Sequence, residues 1–177
     1  MADNRERVGL DQAELERLYV KLEVPIYNVV YRWVWNAEEA HDITQDAFVR
    51  VWKARDRVDL DTAPALLFKT ALNLASNRRR SRRLWGWLGL EAAGERADAA
   101  PSAERAIDSA RVAQKVRAAV DALPEKLRRV VVLSEYSELG YEEIGAILGV
   151  PAGTVGSRRN AALRALAAAL GGLEELS

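Results

Sequence analysis

The chain has 177 residues, 49% hydrophobic and 29% charged, with 26 basic and 26 acidic side chains and a formal net charge of +0. It is long enough for one domain or two small ones, and it has no cysteine and a single histidine, His41. These counts exclude disulfides, thiolate zinc sites and any chemistry that needs two imidazoles. No apolar run approaches the length of a membrane span, and the start MADNRERVGL is too polar for a signal peptide, so no membrane insertion is expected.

The first ten or so residues are polar and are expected to fray. From Gln12 onward, Leu15, Leu18, Tyr19, Leu22, Ile26, Val29, Val30, Trp33 and Val34 recur at the three-and-four spacing of a helix. Pro25 lies inside this pattern. It either kinks the helix or starts a second one, because it lacks an N–H and its ring clashes with the preceding turn. Asn36-Ala37-Glu38-Glu39 has the form of a capping box, an Asn cap with Glu three residues on. The next helix, to about Arg55, buries Ala40, Ile43, Ala47 and Val51, flanked by Phe48 and Trp52, and leaves Asp42, Gln45, Asp46 and Arg50 on another face. After a short polar loop, Asp56 to Asp61, a third helix begins at Thr62 or Ala63 with Pro64 in its first turn, where proline is tolerated. Its apolar stripe reads Leu66, Leu67, Thr70, Ala71, Leu74 and Ala75. It runs out in NLASNRRRSRR, which carries Arg78, Arg79, Arg80, Arg82 and Arg83 and no acid. Residues 10–84 therefore read as one all-helical unit.

The character changes between Trp85 and Ala103, which is rich in Gly and Ala and lacks a sustained period; residues 85–104 read as a linker. Fully extended, it would span about 60–70 Å. Residues 105–171 read as a second unit. Ile107, Ala110, Ala113, Val116 and Val120 mark its first helix. Leu123-Pro124 ends that helix, and Leu127, Val130, Val131 and Tyr136 mark the next. Then Tyr141 to Leu148 forms a short helix with Ile144, Ile147 and Leu148 at helical spacing. Gly149 suits a left-handed helix end and Val150-Pro151 cannot continue it. A further helix starts near Gly153-Thr154. This is a helix-turn-helix layout, whose second helix can enter a DNA major groove; the plainer reading is an αα-hairpin in a bundle. With no strand pattern anywhere, the fold class is all-α: two small helical domains joined by a flexible linker, the C-terminal one with a helix-turn-helix.

Two segments carry a family resemblance. AEEAHDITQDAFVRVWKAR with PALLFKTALNLASNRRRSRR, and ALPEKLRRVVVLSEYSELGYEEIGAILGVPAGTVGSR, together resemble an extracytoplasmic-function (ECF) sigma factor of the sigma-70 superfamily. The shared marks are Asp42, Gln45, Asp46 and Phe48; Leu123-Pro124 with Arg128; and Tyr141-Glu142-Glu143-Ile144 with Gly153-Thr154-Val155. The resemblance implies that 10–84 is sigma domain two, which docks on core RNA polymerase and recognises and melts the minus-ten element. It implies that 105–171 is sigma domain four, which reads the minus-thirty-five element as duplex. It also implies a cytoplasmic, non-enzymatic protein with no cofactor and no metal, whose partners are bacterial core polymerase, promoter DNA as duplex and melted non-template strand, and an anti-sigma factor. The alternative is a stand-alone helix-turn-helix regulator, which would have no need of the polymerase-docking pattern.

Carried over residue by residue, the resemblance implies polymerase contacts at Asp42, Gln45, Asp46 and Arg50. For the minus-ten strand it implies Asn73, Asn77, Arg78, Arg79, Arg80, Arg82 and Arg83, with the loop from Arg55 to Ala63 holding a flipped base; melted bases need pockets or stacking surfaces beside a positive track. Five arginines in six residues exceed what a helix C-terminal dipole asks for. For the minus-thirty-five duplex it implies Thr154, Ser157, Arg158, Arg159 and Asn160, since Arg pairs with guanine and Asn with adenine. The chain departs from the family's pattern at Gly156, which stands where a Lys is usual, at Ala161-Ala162-Leu163, where a basic pair is usual, and at Leu66-Leu67-Phe68, where a Trp is usual just before the third helix's apolar run. Trp85 and Trp87 either dock on the first unit or meet a partner.

Overall fold

In a computed structural model, residues 9–87 and 103–171 are described. Among them are seven α-helices, one 3-10 turn and no strand: α1 (Gln12–Val34), α2 (Ala37–Lys53), the turn Arg55–Arg57, α3 (Ala63–Trp87), α4 (Ala103–Ala122), α5 (Glu125–Tyr136), α6 (Tyr141–Leu148) and α7 (Ala152–Leu170).

α1 starts with a complete capping box. Asp11 accepts from the Glu14 N–H at 2.7 Å, and the Glu14 carboxylate accepts from the Asp11 N–H at 2.8 Å. Together they satisfy two N–H groups that a helix start leaves open. Chain entry is pinned further by the Leu10 N–H, which donates to the Arg55 carbonyl at 3.0 Å, with Leu10 itself buried. Pro25 does not divide the pattern: one helix runs through it. α1, α2 and α3 pack against one another around Ile26, Val29, Val30, Trp33, Ala40, Ala47 and Leu67.

The Asn36 cap forms, accepting from Glu39 N–H at 2.9 Å. The reciprocal half of that capping box does not; the Glu39 carboxylate pairs instead with Arg82 and, at 4.0 Å, with Arg78 on α3. Two charged partners on a neighbouring helix outcompete one backbone N–H. The stripe of α3 also sits one position over from the sequence reading. Its most buried side chains are Leu67, Phe68, Ala71, Leu72 and Ala75, while Leu66 and Leu74 are half-buried. Phe68 was hidden in an apolar run that periodicity cannot phase.

In the second unit α5 packs against α7, and α6 against both. α5 contributes Val130, Val131, Val132 and Leu133, α6 Ile144 and Ile147, and α7 Val155 and Ala162. Among the α4 residues whose side chains are described, from Ala110 to Ala122, only Ala119 is buried; Ala110 and Ala113, read as core markers, are exposed, and Ile107 lies outside the described side chains. The segment read as a linker lies mostly outside the described residues. Its ends do not: α3 continues through Trp87 and α4 begins at Ala103.

The two units also pack on each other, α1 against α5 and α3 against α6. That contact draws two candidate site residues of α3, Asn73 and Arg79, into hydrogen bonds with the second unit.

Candidate nucleic-acid interface

The helix-turn-helix is built by two glycines with different tasks. Gly149 ends α6 at φ 67°, and a Cβ there would meet nothing. Gly145 matters for space: a Cβ there would lie 2.6 Å from the Val150 carbonyl oxygen. The turn folds back onto it, and the Val150 N–H donates to the Gly145 carbonyl at 3.0 Å. This close approach is what brings Pro151 round to open α7.

α7 is anchored by Val155 and Ala162, both fully buried and seven residues apart on one face. Ser157 and Asn160 are exposed; Thr154, Arg158 and Arg159 are half-buried. Arg158 lines a shallow cleft with Lys126, Arg129, Glu125 and Leu148. Arg159 is held by Glu135 of α5, with Nε–Oε1 at 2.8 Å and Nη2–Oε1 at 2.7 Å. That bond, with the carboxylate charge, raises the Arg159 pKa. The departures from the family pattern now have structural places. Gly156 lies beneath Tyr141, whose Cε2 would stand 3.4 Å from an added Cβ. Ala162 is fully buried, at a position where a long basic side chain would not fit.

On α2, Asp42, Gln45 and Arg50 are exposed and Asp46 is half-buried. Asp46 accepts from Arg50 Nε at 3.1 Å, and Gln45 bonds His41 at 2.9 Å, each one turn away. Beside this polar face is an apolar groove of about 430 Å³ between α1 and α2, lined by Leu15, Tyr19, Phe48, Val49 and Trp52. Phe48 and Tyr19 meet edge to face at 4.9 Å. Arg55 stacks over Trp52 at 4.2 Å at the head of the 3-10 turn.

The arginine run of α3 is divided by direction. Arg78 and Arg82 turn to Glu39 on α2, and Arg82 also donates to the Val34 carbonyl at 3.2 Å. Asn77, Arg80 and Arg83 are exposed. Arg79 points to the second unit: its Nη1 donates to the Asp121 carboxylate and its Nη2 to the Asp121 carbonyl at 3.1 Å. Burial lowers the Arg79 pKa, opposed by the Asp121 charge. Asn73 receives Arg129 Nη1 at 3.4 Å. The residues that make this contact, Asp121 and Arg129, escape sequence reasoning. Arg129 follows Glu125 at helical spacing and reads as a local pair, which it is, at 2.8 Å; its reach to α3 has no sequence signal.

These elements define a two-part, all-helical protein of the helix-turn-helix class, with an arginine-rich helix in the first part. The profile described as Sigma-70 region 2 matches residues 18–84, and that described as Sigma-70, region 4 matches residues 113–166. Among curated relatives, the ECF RNA polymerase sigma factor SigE of Mycolicibacterium smegmatis is 36% identical over 75% of this chain and 52% of its own length. SigW of Bacillus subtilis is 34% identical over 75% of this chain and 76% of its own. Among solved structures, CnrH in complex with the cytosolic domain of CnrY superposes with a TM-score of 0.67 at 26% identity, over 92% of this chain and 90% of that one. The sigma factor RpoE in complex with the anti-sigma factor NepR, from Bartonella quintana, shares the fold with a TM-score of 0.65 at 22% identity, over 89% of this chain and 97% of that one. The chain belongs to the sigma-70 family, as an RNA polymerase sigma factor of the ECF type.

Proposed function

We propose that this chain directs core RNA polymerase to promoters by a two-point grip, with residues 10–84 acting as domain two, 85–104 as the connection and 105–171 as domain four. One observation carries the reading: regions 2 and 4 occur in that order in a single chain, over 18–84 and 113–166. The protein supplies recognition and strand capture, and the polymerase supplies the chemistry.

In this reading polymerase docks on Asp42, Gln45, Asp46 and Arg50. The exposed polar row supports this, as does the apolar groove beside it, where Val49 is 45% exposed. A protein interface needs such a desolvated centre within a polar rim. Arg80, Arg83 and Asn77 offer the positive track for the minus-ten strand, with Arg78, Arg79, Arg82 and Asn73 joining once their present partners are displaced. Domain four reads the minus-thirty-five duplex through Thr154, Ser157, Arg158, Arg159 and Asn160 on α7.

An anti-sigma partner belongs to the same reading, as RpoE of Bartonella quintana was captured with one. The reading entails a cytoplasmic protein that is not an enzyme; no helix among the described residues is long and apolar enough to cross a membrane. The test is transcription in vitro from promoters mapped after overexpression. Core polymerase plus this protein should give start-site-specific transcripts that neither gives alone, and their absence would refute the reading.

A further inference from the structure

α1 is apolar on two faces. One meets the core through Leu18, Leu22, Ile26, Val29 and Trp33. The opposite face carries Val20 and Val24, 83% and 62% exposed, the two most exposed large hydrophobic side chains among the described residues. The outward face of a helix ordinarily carries polar groups.

The spacing on this outer face is that of a coiled-coil seam. Ala13, Arg17, Val20, Val24, Tyr27 and Tyr31 alternate steps of four and three along a helix that runs unbroken from Gln12 to Val34. Ala13, Val20 and Tyr27 therefore take d positions of a heptad, and Arg17, Val24 and Tyr31 take a positions. The row rises about 27 Å at 1.5 Å per residue. Tyr27 and Tyr31 are half-buried and stack with ring centres 6.0 Å apart, which stiffens the C-terminal end of the row.

The two flanks of the seam differ in charge. Glu16 and Glu23 stand at g, and Lys21 and Asn28 at e. Glu16 and Lys21 are exposed, and Lys21 has no ion-pair partner among the described residues. This pattern decides what fits the face. Two such helices running in the same direction set g of one against e of the other, five residues on, so Glu16 meets Lys21 of a second copy, twice by symmetry. Running in opposite directions, they would set the glutamate flanks against each other. A charged residue at an a position, here Arg17, costs stability but fixes register and strand number.

We propose that a second copy of this chain docks on the outer face of α1, as a parallel, in-register, two-fold helix pair. The two-fold axis runs along the seam, so the assembly closes at two copies. The pairing is independent of the promoter reading.

The test uses the full chain. Sedimentation equilibrium at concentrations up to on the order of 100 µM, enough to populate a dimer of micromolar affinity, should show monomer and dimer and nothing larger. Val24→Glu, at an exposed position where the fold should hold, should raise the dissociation constant at least about tenfold. Glu16→Lys alone should weaken the dimer by placing like charges across the seam. Glu16→Lys with Lys21→Glu should restore it, because the exchange only swaps the flanks. The chain contains no cysteine, so Val24→Cys supplies a single thiol that an in-register parallel pair brings against its counterpart. Mild oxidation should then give disulfide-linked dimers, whereas Val112→Cys, at a 44% exposed position of α4, should remain unlinked. Circular dichroism checks that each variant retains its helices. A monomer throughout would overturn the proposal. A dimer that Val24→Glu leaves intact, that the double exchange does not restore, or that Val24→Cys does not link would overturn it as well, since the copies would then meet elsewhere.

Discussion

The guanidinium carbon of Arg128 lies 3.9 Å from the centre of the Trp33 ring, joining the second unit to the core of the first. Arg128 is only 5% exposed, its Nε has no hydrogen-bond partner, and its one bonded acid is Asp121 at 3.3 Å. The ring face therefore supplies much of what compensates a buried cation. A desolvated cation–π contact contributes about 2 kcal/mol or more. Arg128→Ala should lower stability by about 2–3 kcal/mol in urea denaturation and alter tryptophan emission. Arg128→Lys should recover only part of this, since an ammonium cannot lie flat on the ring. An unchanged urea midpoint for Arg128→Ala would mean the contact contributes nothing.

Three of the four glycines of the helix-turn-helix, Gly145, Gly149 and Gly156, should respond differently to alanine. At Gly145 the obstacle is the Val150 carbonyl at 2.6 Å, which is backbone and cannot swing away. Gly145→Ala should cost about 1–3 kcal/mol by overpacking and misplace α7. Gly149→Ala meets open space but a φ of 67°, and should cost about 1–2 kcal/mol from the left-handed backbone alone. Gly156→Ala meets only the edge of Tyr141 at 3.4 Å, so the helix-propensity gain of up to about 1 kcal/mol should prevail. Thermal denaturation of the three variants should rank them in this order; Gly145→Ala as the mildest would contradict the close packing of the turn.

Duplex reading should depend unequally on the two arginines of α7. Arg159 is tied to Glu135 at 2.7 Å, whereas Arg158 lies in an open cleft with Lys126 and Arg129. Arg158→Ala should reduce minus-thirty-five-dependent transcription by about tenfold, the value of one good base contact, with core affinity unchanged. Glu135→Ala should release Arg159 and strengthen binding without sequence preference, steepening its salt dependence. Equal loss of core affinity in Arg158→Ala would contradict the division of labour.

Substitutions on α2 should do the opposite. Gln45→Ala with Asp46→Ala removes two polar groups from an exposed helix face whose partners, His41 and Arg50, are one turn away and equally exposed. Surface pairs of this kind contribute about 0.3–0.5 kcal/mol to stability, so the fold should hold. Affinity for core polymerase, read by fluorescence titration, should fall at least about tenfold, as for a buried interface contact. Full retention of core affinity would remove this face from the docking site.

Much of this protein follows from local rules that a sequence carries. Helices α1, α2 and α5 to α7 stand where apolar periodicity and the breaks at Pro124, Gly149 and Pro151 put them. The exposed row at Asp42, Gln45 and Arg50 follows from the same period. Periodicity states which face of a helix is apolar; it does not state what covers that face. It could not phase the dense apolar run of α3, where Phe68 and Leu72 are buried, or foresee that Ala110 and Ala113 of α4 stay exposed. The arginine run was legible as a concentration of charge, but its division was not: Arg78 and Arg82 turn to Glu39, and Arg79 turns to Asp121, 42 residues away. Such pairings depend on how the two units dock. Docking is settled by shape and burial over whole surfaces, including Arg128 on Trp33, and no spacing along the chain encodes it.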